Sequence, residues 1–106
     1  MATGRLGTGD LAATTDTSLY TVPADTFTVA SVSMVNRGNS SRTVRIAVST
    51  SGTPTLDEYL EYGAILGAGD VLERTGIVMD AGKQLVVWAS DVNITAVAFG
   101  IETASA

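Results

Sequence analysis

From Leu19 onward, short runs dense in Val, Ile, Thr and aromatic residues alternate with breaks of Gly, Asn, Asp and Pro. Apolar runs of roughly four to eight residues between such breaks mark strands, and helical periodicity is poor throughout. The cleanest run is Arg42 to Thr50, where Val44, Ile46 and Val48 alternate with Thr43, Arg45, Ala47 and Ser49, so that one face is buried and the other wet. Ser18 to Val22 predicts a short strand stopped by Pro23, which lacks the N–H a ladder needs and opens the turn Pro23-Ala24-Asp25. Phe27 to Val35 predicts a longer strand that pairs with Arg42 to Thr50 as a hairpin, across a loop at Asn36-Arg37-Gly38-Asn39 whose residue types suit positive φ. Leu56 to Leu60 fits one helical turn, with Thr55 as N-cap and Asp57 and Glu58 at its positive end. Tyr62 to Leu66 and Val71 to Met79 follow as strands across Gly67-Ala68-Gly69-Asp70, the second bulged at Gly76. The last pair, Gln84 to Ser90 and Ile94 to Ile101, turns at Asp91-Val92-Asn93. Together these runs predict an all-β fold, an antiparallel β-sandwich that is jelly-roll-like and has about seven or eight strands.

Residues 1–18 have a different texture, rich in Gly, Ala, Thr and Ser with Leu6 and Leu11 as the only apolar anchors. They read as an extended N-terminal arm attached to a single β-sandwich domain at 19–106. Two strands of that domain are apolar on both faces. Leu85, Val87 and Ala89 point opposite to Val86 and Trp88, and Ile94, Ala96 and Ala98 point opposite to Val97, Phe99 and Ile101. A lone sandwich buries one face per sheet. The second face therefore implies a subunit interface, or else a cover supplied by the arm or by the 51–62 loop. The residues singled out for contact are Arg5, Leu6 and Leu11 on the arm, Arg37 and Arg42 at the hairpin tip, and Trp88 and Phe99 on the second faces.

Composition narrows the chemistry. The 106 residues contain no Cys and no His, 45% are hydrophobic, and the formal net charge is −5. Without imidazole or thiol there is no Cys/His zinc site and no Ser-His-Asp or Cys-His nucleophile system. The acidic balance argues against direct nucleic-acid binding, which rests on clustered Lys and Arg. The apolar stretch from Gly63 to Gly69 is far short of the roughly 20 residues a spanning helix needs, and the first residues carry no apolar export core, so no membrane partner is expected. Asp57, Glu58 and Glu61 form the densest carboxylate group, but on an exposed turn they read as a solvated helix start. Gly63, Gly67 and Gly69 match neither a dinucleotide fingerprint nor a P-loop, and Asn93-Ile94-Thr95 matches a glycosylation sequon without secretory context. Trp88, with Tyr20, Tyr59 and Tyr62, is the one candidate for sugar stacking. No constellation amounts to a catalytic or cofactor site, and the chain is expected to be non-enzymatic.

The order of segments carries a resemblance. An Ala/Thr-rich lead ends in Leu19-Tyr20-Thr21-Val22-Pro23, a Val/Ser strand closes on Val35-Asn36-Arg37-Gly38, and Val44-Arg45-Ile46-Ala47-Val48 follows. Then come Leu72-Glu73-Arg74-Thr75-Gly76-Ile77, the turn Asp80-Ala81-Gly82 and Val97-Ala98-Phe99-Gly100-Ile101-Glu102. From Leu11 to Glu102 the chain resembles small β-sandwich virion proteins of tailed bacteriophages, among them capsid decoration (cement) proteins and related fibre or baseplate components. The resemblance implies a homo-oligomer, commonly a trimer, assembled in the host bacterial cytoplasm. It would sit in the virion on the major capsid protein or another virion protein, without a cofactor. A tail, neck or baseplate component and a carbohydrate- or receptor-binding module are the alternatives.

Overall fold

The computed structural model describes residues 2–105, so that positions 1 and 106, the outermost positions of the arm and the domain, lie outside it. The described residues form β1 (Thr3–Asp10), β2 (Thr17–Thr21), β3 (Thr26–Asn36), β4 (Arg42–Ser49), a 3-10 turn (Leu56–Glu58), β5 (Tyr59–Leu66), β6 (Val71–Met79), β7 (Gln84–Ala89) and β8 (Ile94–Ala104). Two four-stranded antiparallel sheets result: a front sheet ordered β1-β8-β3-β6 and a back sheet ordered β2-β7-β4-β5. The pairs β1·β8, β2·β7, β3·β6 and β4·β5 nest inside one another around the 50–58 loop. The chain is thus one long hairpin, bent at that loop and rolled up, which is the jelly-roll arrangement of the β-sandwich.

This topology corrects the local pairing read from the sequence. β3 and β4 do not form a hairpin, nor do β5 and β6 or β7 and β8; the members of each pair lie in opposite sheets. Each of these six strands turns an apolar face inward, and a turn that crosses between sheets buries two such faces against each other as well as a hairpin does. The 36–42 connection also lacks the positive φ expected of it. The Asn36 side chain, fully buried, shapes it instead: Nδ2 donates to the Ser40 and Leu66 carbonyls at 2.8 and 3.0 Å, and Oδ1 accepts from Gly38 N–H at 2.9 Å. The other turns follow their residue types, with positive φ at Asp25 and Asn93 and at Gly76, where the β3·β6 register shifts.

The core lies between the sheets and includes Val32, Met34, Ile46, Leu85, Val87, Ile94 and Ala96, all at 0% exposure. Tyr20 clamps the sheets at one end: its hydroxyl is 2.8 Å from Thr28 Oγ1 on β3 and donates to the Glu102 carboxylate on β8. Burial foremost, then the bond to Glu102, pushes the Tyr20 phenol up to about 12.

The N-terminal segment is extended, as expected, but it is a strand of the sandwich rather than a coreless arm. β1 pairs with β8 from Thr3↔Ile101 to Asp10↔Thr95, and Leu11 enters the core at 3% exposure, its N–H donating to the Ile94 carbonyl at 2.9 Å. Glycine makes this possible. A Cβ on Gly7 would lie 2.1 Å from the Leu19 carbonyl oxygen, so only a residue without a side chain lets β1 approach β2 this closely. The 3-10 turn ends at Glu58, two residues short of the expected Leu60, and Tyr59 to Glu61 belong to β5.

Candidate functional site

The two outer faces of the sandwich differ, and the difference locates the candidate site. On the back sheet the outward residues of the central strands β4 and β7 are closed by the chain itself, while Tyr62 and Ile65 on the edge strand β5 stay 58% and 76% exposed. Arg45 on β4 lies directly opposite Trp88 on β7 and Tyr62 on β5. Its guanidinium stacks 3.9 Å from the Trp88 ring centroid and 4.4 Å from that of Tyr62, and Tyr59 meets Tyr62 edge to face at 4.9 Å. With both guanidinium faces covered by rings, Arg45 Nε is buried without a hydrogen-bond partner among the described residues. One row along, Ala47 and Val86 are buried although they point outward. The 50–58 loop is tied to this end by Glu58, which accepts from Ser49 Oγ at 2.8 Å, Thr50 N–H at 3.2 Å and Thr55 N–H at 2.9 Å. Those bonds, led by the one from Thr55, hold the Glu58 carboxyl below its ordinary value. The centre of this outer face is thus taken up by the chain's own Trp88–Arg45–Tyr62 stack, with the 50–58 loop tied to one end of it.

The front sheet has no such cover. Val78 on β6, Val29 on β3 and Ile101 on β8 form one row, flanked by Phe27 on β3 and Phe99 on β8. They are 71%, 43%, 55%, 37% and 36% exposed, respectively. All belong to strands whose opposite face is core, and they form a continuous apolar patch. A patch of large apolar side chains on a sheet face marks a contact surface. Two ionic groups border it on the outer strands: Arg5 on β1 next to Phe99, and Glu73 on β6 next to Ser33. Neither has an ion-pair partner among the described residues.

The residues singled out from the sequence divide accordingly. Arg5 and Phe99 lie on the front face, beside each other in the β1·β8 register. Trp88 is on the back face, engaged with Arg45. Leu11 is core, and Leu6 packs against it, so neither presents an apolar group to a neighbour. Arg42 is buried: Nε donates to the Val92 carbonyl and Nη1 to Ser40, tying the 36–42 and 91–93 connections together, with Asp91 at 3.8 Å. Arg37 remains at the surface, paired with Asp10 at 2.6 Å. The structure also adds Phe27, Val29, Glu73 and Val78 to the contact face. Val29 and Phe27 alternate outward in the β3 pattern, so the signal was present, but which face stays open depends on pairing that only the fold supplies.

The carboxylate group Asp57, Glu58 and Glu61 is dispersed. Glu58 anchors the loop, Glu61 bridges to Arg74 at 2.7 Å, and Asp57 accepts from Thr55 Oγ1. Among the described residues no group of three or more acids forms a metal-binding cluster, and no helix is long and apolar enough to cross a membrane. A cleft of about 280 Å³ opens where the bulge of β6 faces Val48 and Leu60, and its charged lining group, Arg74, is the one bridged to Glu61. Comparison with protein-family models, with curated proteins and with solved structures gives no match to this chain.

Proposed function

We propose that the protein is a non-enzymatic structural component of a tailed-phage particle, an oligomeric capsid decoration protein that stabilises the shell by binding the major capsid lattice. The observation that carries the reading is the uncovered apolar face of the front sheet, which suits a protein that works within an assembly. The resemblance in segment order from Leu11 to Glu102 supplies the virion setting. A molecule that binds only the assembled shell shifts the equilibrium toward that shell by mass action, which is how such a protein stabilises without turnover. The glycan-binding alternative would draw on the Tyr62 ring, which is 58% exposed, but Arg45 already stacks on Tyr62 and Trp88.

The test is a cryo-EM map of the source particle with quantitative mass spectrometry of its proteins. Hundreds of copies in ordered positions on the shell are expected, and particles lacking the protein should lose their genome at lower temperature. A few dozen copies confined to the tail would move it to the neck or baseplate. Its absence from purified particles, or unchanged heat resistance without it, would defeat the shell-stabilising role.

A further inference from the structure

Resting on the reading of this chain as an oligomer, we infer that two copies pair face to face through their front sheets, about a two-fold axis parallel to the strands. The strand order is the starting point. In β1-β8-β3-β6 the middle of the sheet falls between β8 and β3. A two-fold axis there, lying in the interface along the strand direction, sets β8 over the second copy's β3 and β1 over its β6, while each row of residues keeps its height. A contact of this kind uses the same patch on both molecules and must be complementary to itself.

The front face meets that demand in size. Phe99 and Ser31 share a row, as do Val97 and Ser33, and Phe27 and Thr103. Under the two-fold operation, Phe99, Val97 and Phe27 on one central strand face the smaller Ser31, Ser33 and Thr103 on the opposing strand, while Val29 and Ile101 meet each other in the row between. Phe99 enters the space over Ser31 twice per pair, and Phe27 over Thr103 twice. Aligned packing of twisted sheets gives the same interdigitation inside sandwiches.

The charges meet it as well. Arg5 lies on β1 and Glu73 on β6, the strands that the axis superposes, and both are unpaired among the described residues. Their rows are about 7 Å apart along the strands and facing sheets pack about 10 Å apart, so the two Cα atoms lie about 12 Å from each other, within the combined reach of extended Arg and Glu side chains. Each pair of molecules therefore forms the contact twice. An axis perpendicular to the strands would instead lay β1 on β1 and β6 on β6, bringing like charge toward like. The face measures roughly 20 by 25 Å from strand spacing and rise, giving on the order of 1,000 Å² buried between two copies. That is the lower end for specific association, so a dissociation constant in the micromolar range is expected. A two-fold contact of this kind cannot by itself generate the trimer that the phage resemblance implies.

The experiment is sedimentation equilibrium on the purified full chain from about 1 to 200 µM. Wild type should fit a monomer–dimer equilibrium that weakens as salt is raised, because rim ion pairs are screened. Arg5→Glu and Glu73→Arg should each weaken dimerisation about tenfold, since each replaces two attractive contacts with two repulsive ones. The double variant Arg5→Glu/Glu73→Arg should return to within about threefold of wild type. Circular dichroism melts check that these exposed substitutions leave the fold intact. A monomer at every concentration, a trimer, or a double variant no better than the singles would overturn the proposal. A monomer that nonetheless decorates particles would overturn it and leave the proposed function standing.

Discussion

Replacing Leu11 by Ala tests whether the N-terminal segment belongs to the folded unit. Leu11 is 3% exposed and packs in the core cluster with Leu19, directly after β1 leaves β8. Truncation to Ala removes three carbons, Cγ and its two methyls, from a site that cannot collapse freely, because the Leu11 backbone is itself bonded to Ile94 at 2.9 Å. For a buried leucine the transfer and cavity contributions sum to about 3 kcal/mol. That is a large part of the roughly 5–15 kcal/mol by which a domain of this size is stable. At about 4–8 °C per kcal/mol, the midpoint should fall by roughly 12–24 °C. Thermal and urea unfolding followed by far-UV circular dichroism, at a protein concentration low enough to keep the chain monomeric, measures the change. Leu6→Ala, at a half-buried position beside the core, serves as the internal comparison and should lose about 1 kcal/mol. If Leu11→Ala melts within about 3 °C of wild type, β1 is a detachable arm and its pairing with β8 contributes nothing to the cooperative fold.

Four further outcomes are expected. Gly7→Ala should destabilise by at least about 2 kcal/mol in the same unfolding assay, because its Cβ would meet the Leu19 carbonyl oxygen at 2.1 Å and either β1 or β2 must move; an unchanged melt would show that the approach is not that close. Arg45→Ala should lower stability by about 1–2 kcal/mol and shift Trp88 fluorescence, through the lost cation–π stack between Trp88 and Tyr62; unaltered emission would contradict the stack. Tyr20 has its folded pKa raised from 10.0 to about 12, so the neutral phenol is the form the fold favours: this contribution is complete below pH 10 and is lost as pH rises through 12, and Tyr20→Phe should abolish that alkaline limb of the stability profile. Glu58 and Glu102 are shifted the opposite way, and their contribution, present above the ordinary carboxylate pKa, is lost as pH falls through the lowered folded values.

The sequence made the strands legible wherever alternation was strong. β3, β4, β7 and β8 lie close to their expected limits, the bulge falls at Gly76, and the inward sets Val44/Ile46, Leu85/Val87 and Ile94/Ala96 are all core. β1 was hidden because Gly7 and Gly9 occupy inward positions where an apolar residue would have revealed the period. Pairing was hidden because alternation shows which face of a strand is apolar but not which strand covers it. That gap also accounts for the misplacement of Arg42, which looks like a free hairpin-tip charge until the 91–93 connection is brought against it. Arg45 escaped notice for the same reason: it is an ordinary wet-face residue of β4 until the β4·β7 and β4·β5 registers place Trp88 and Tyr62 on either side.

The rolled topology gives the contact face a further property. β8, the last strand in the chain, lies between β1, the first, and β3, with Thr3 opposite Ile101 and Val29 opposite Ile101 on its other side. Phe99 and Ile101 can therefore join Val29 and Val78 in one patch only after the C-terminal strand has inserted between two strands made much earlier. Non-local pairings of this kind form late, because the closure entropy of a long loop precedes any return from the contacts. A chain folded as far as β7 would leave β1 unpaired and would lack Ile101 of the apolar row and Phe99 beside it. The back face, whose Trp88–Arg45–Tyr62 stack draws on β4, β5 and β7, carries no such dependence on either terminus. In the proposed dimer, competence to associate is thus tied to completion of the fold, because a chain that lacks β8 displays only the Val29 and Val78 part of the face.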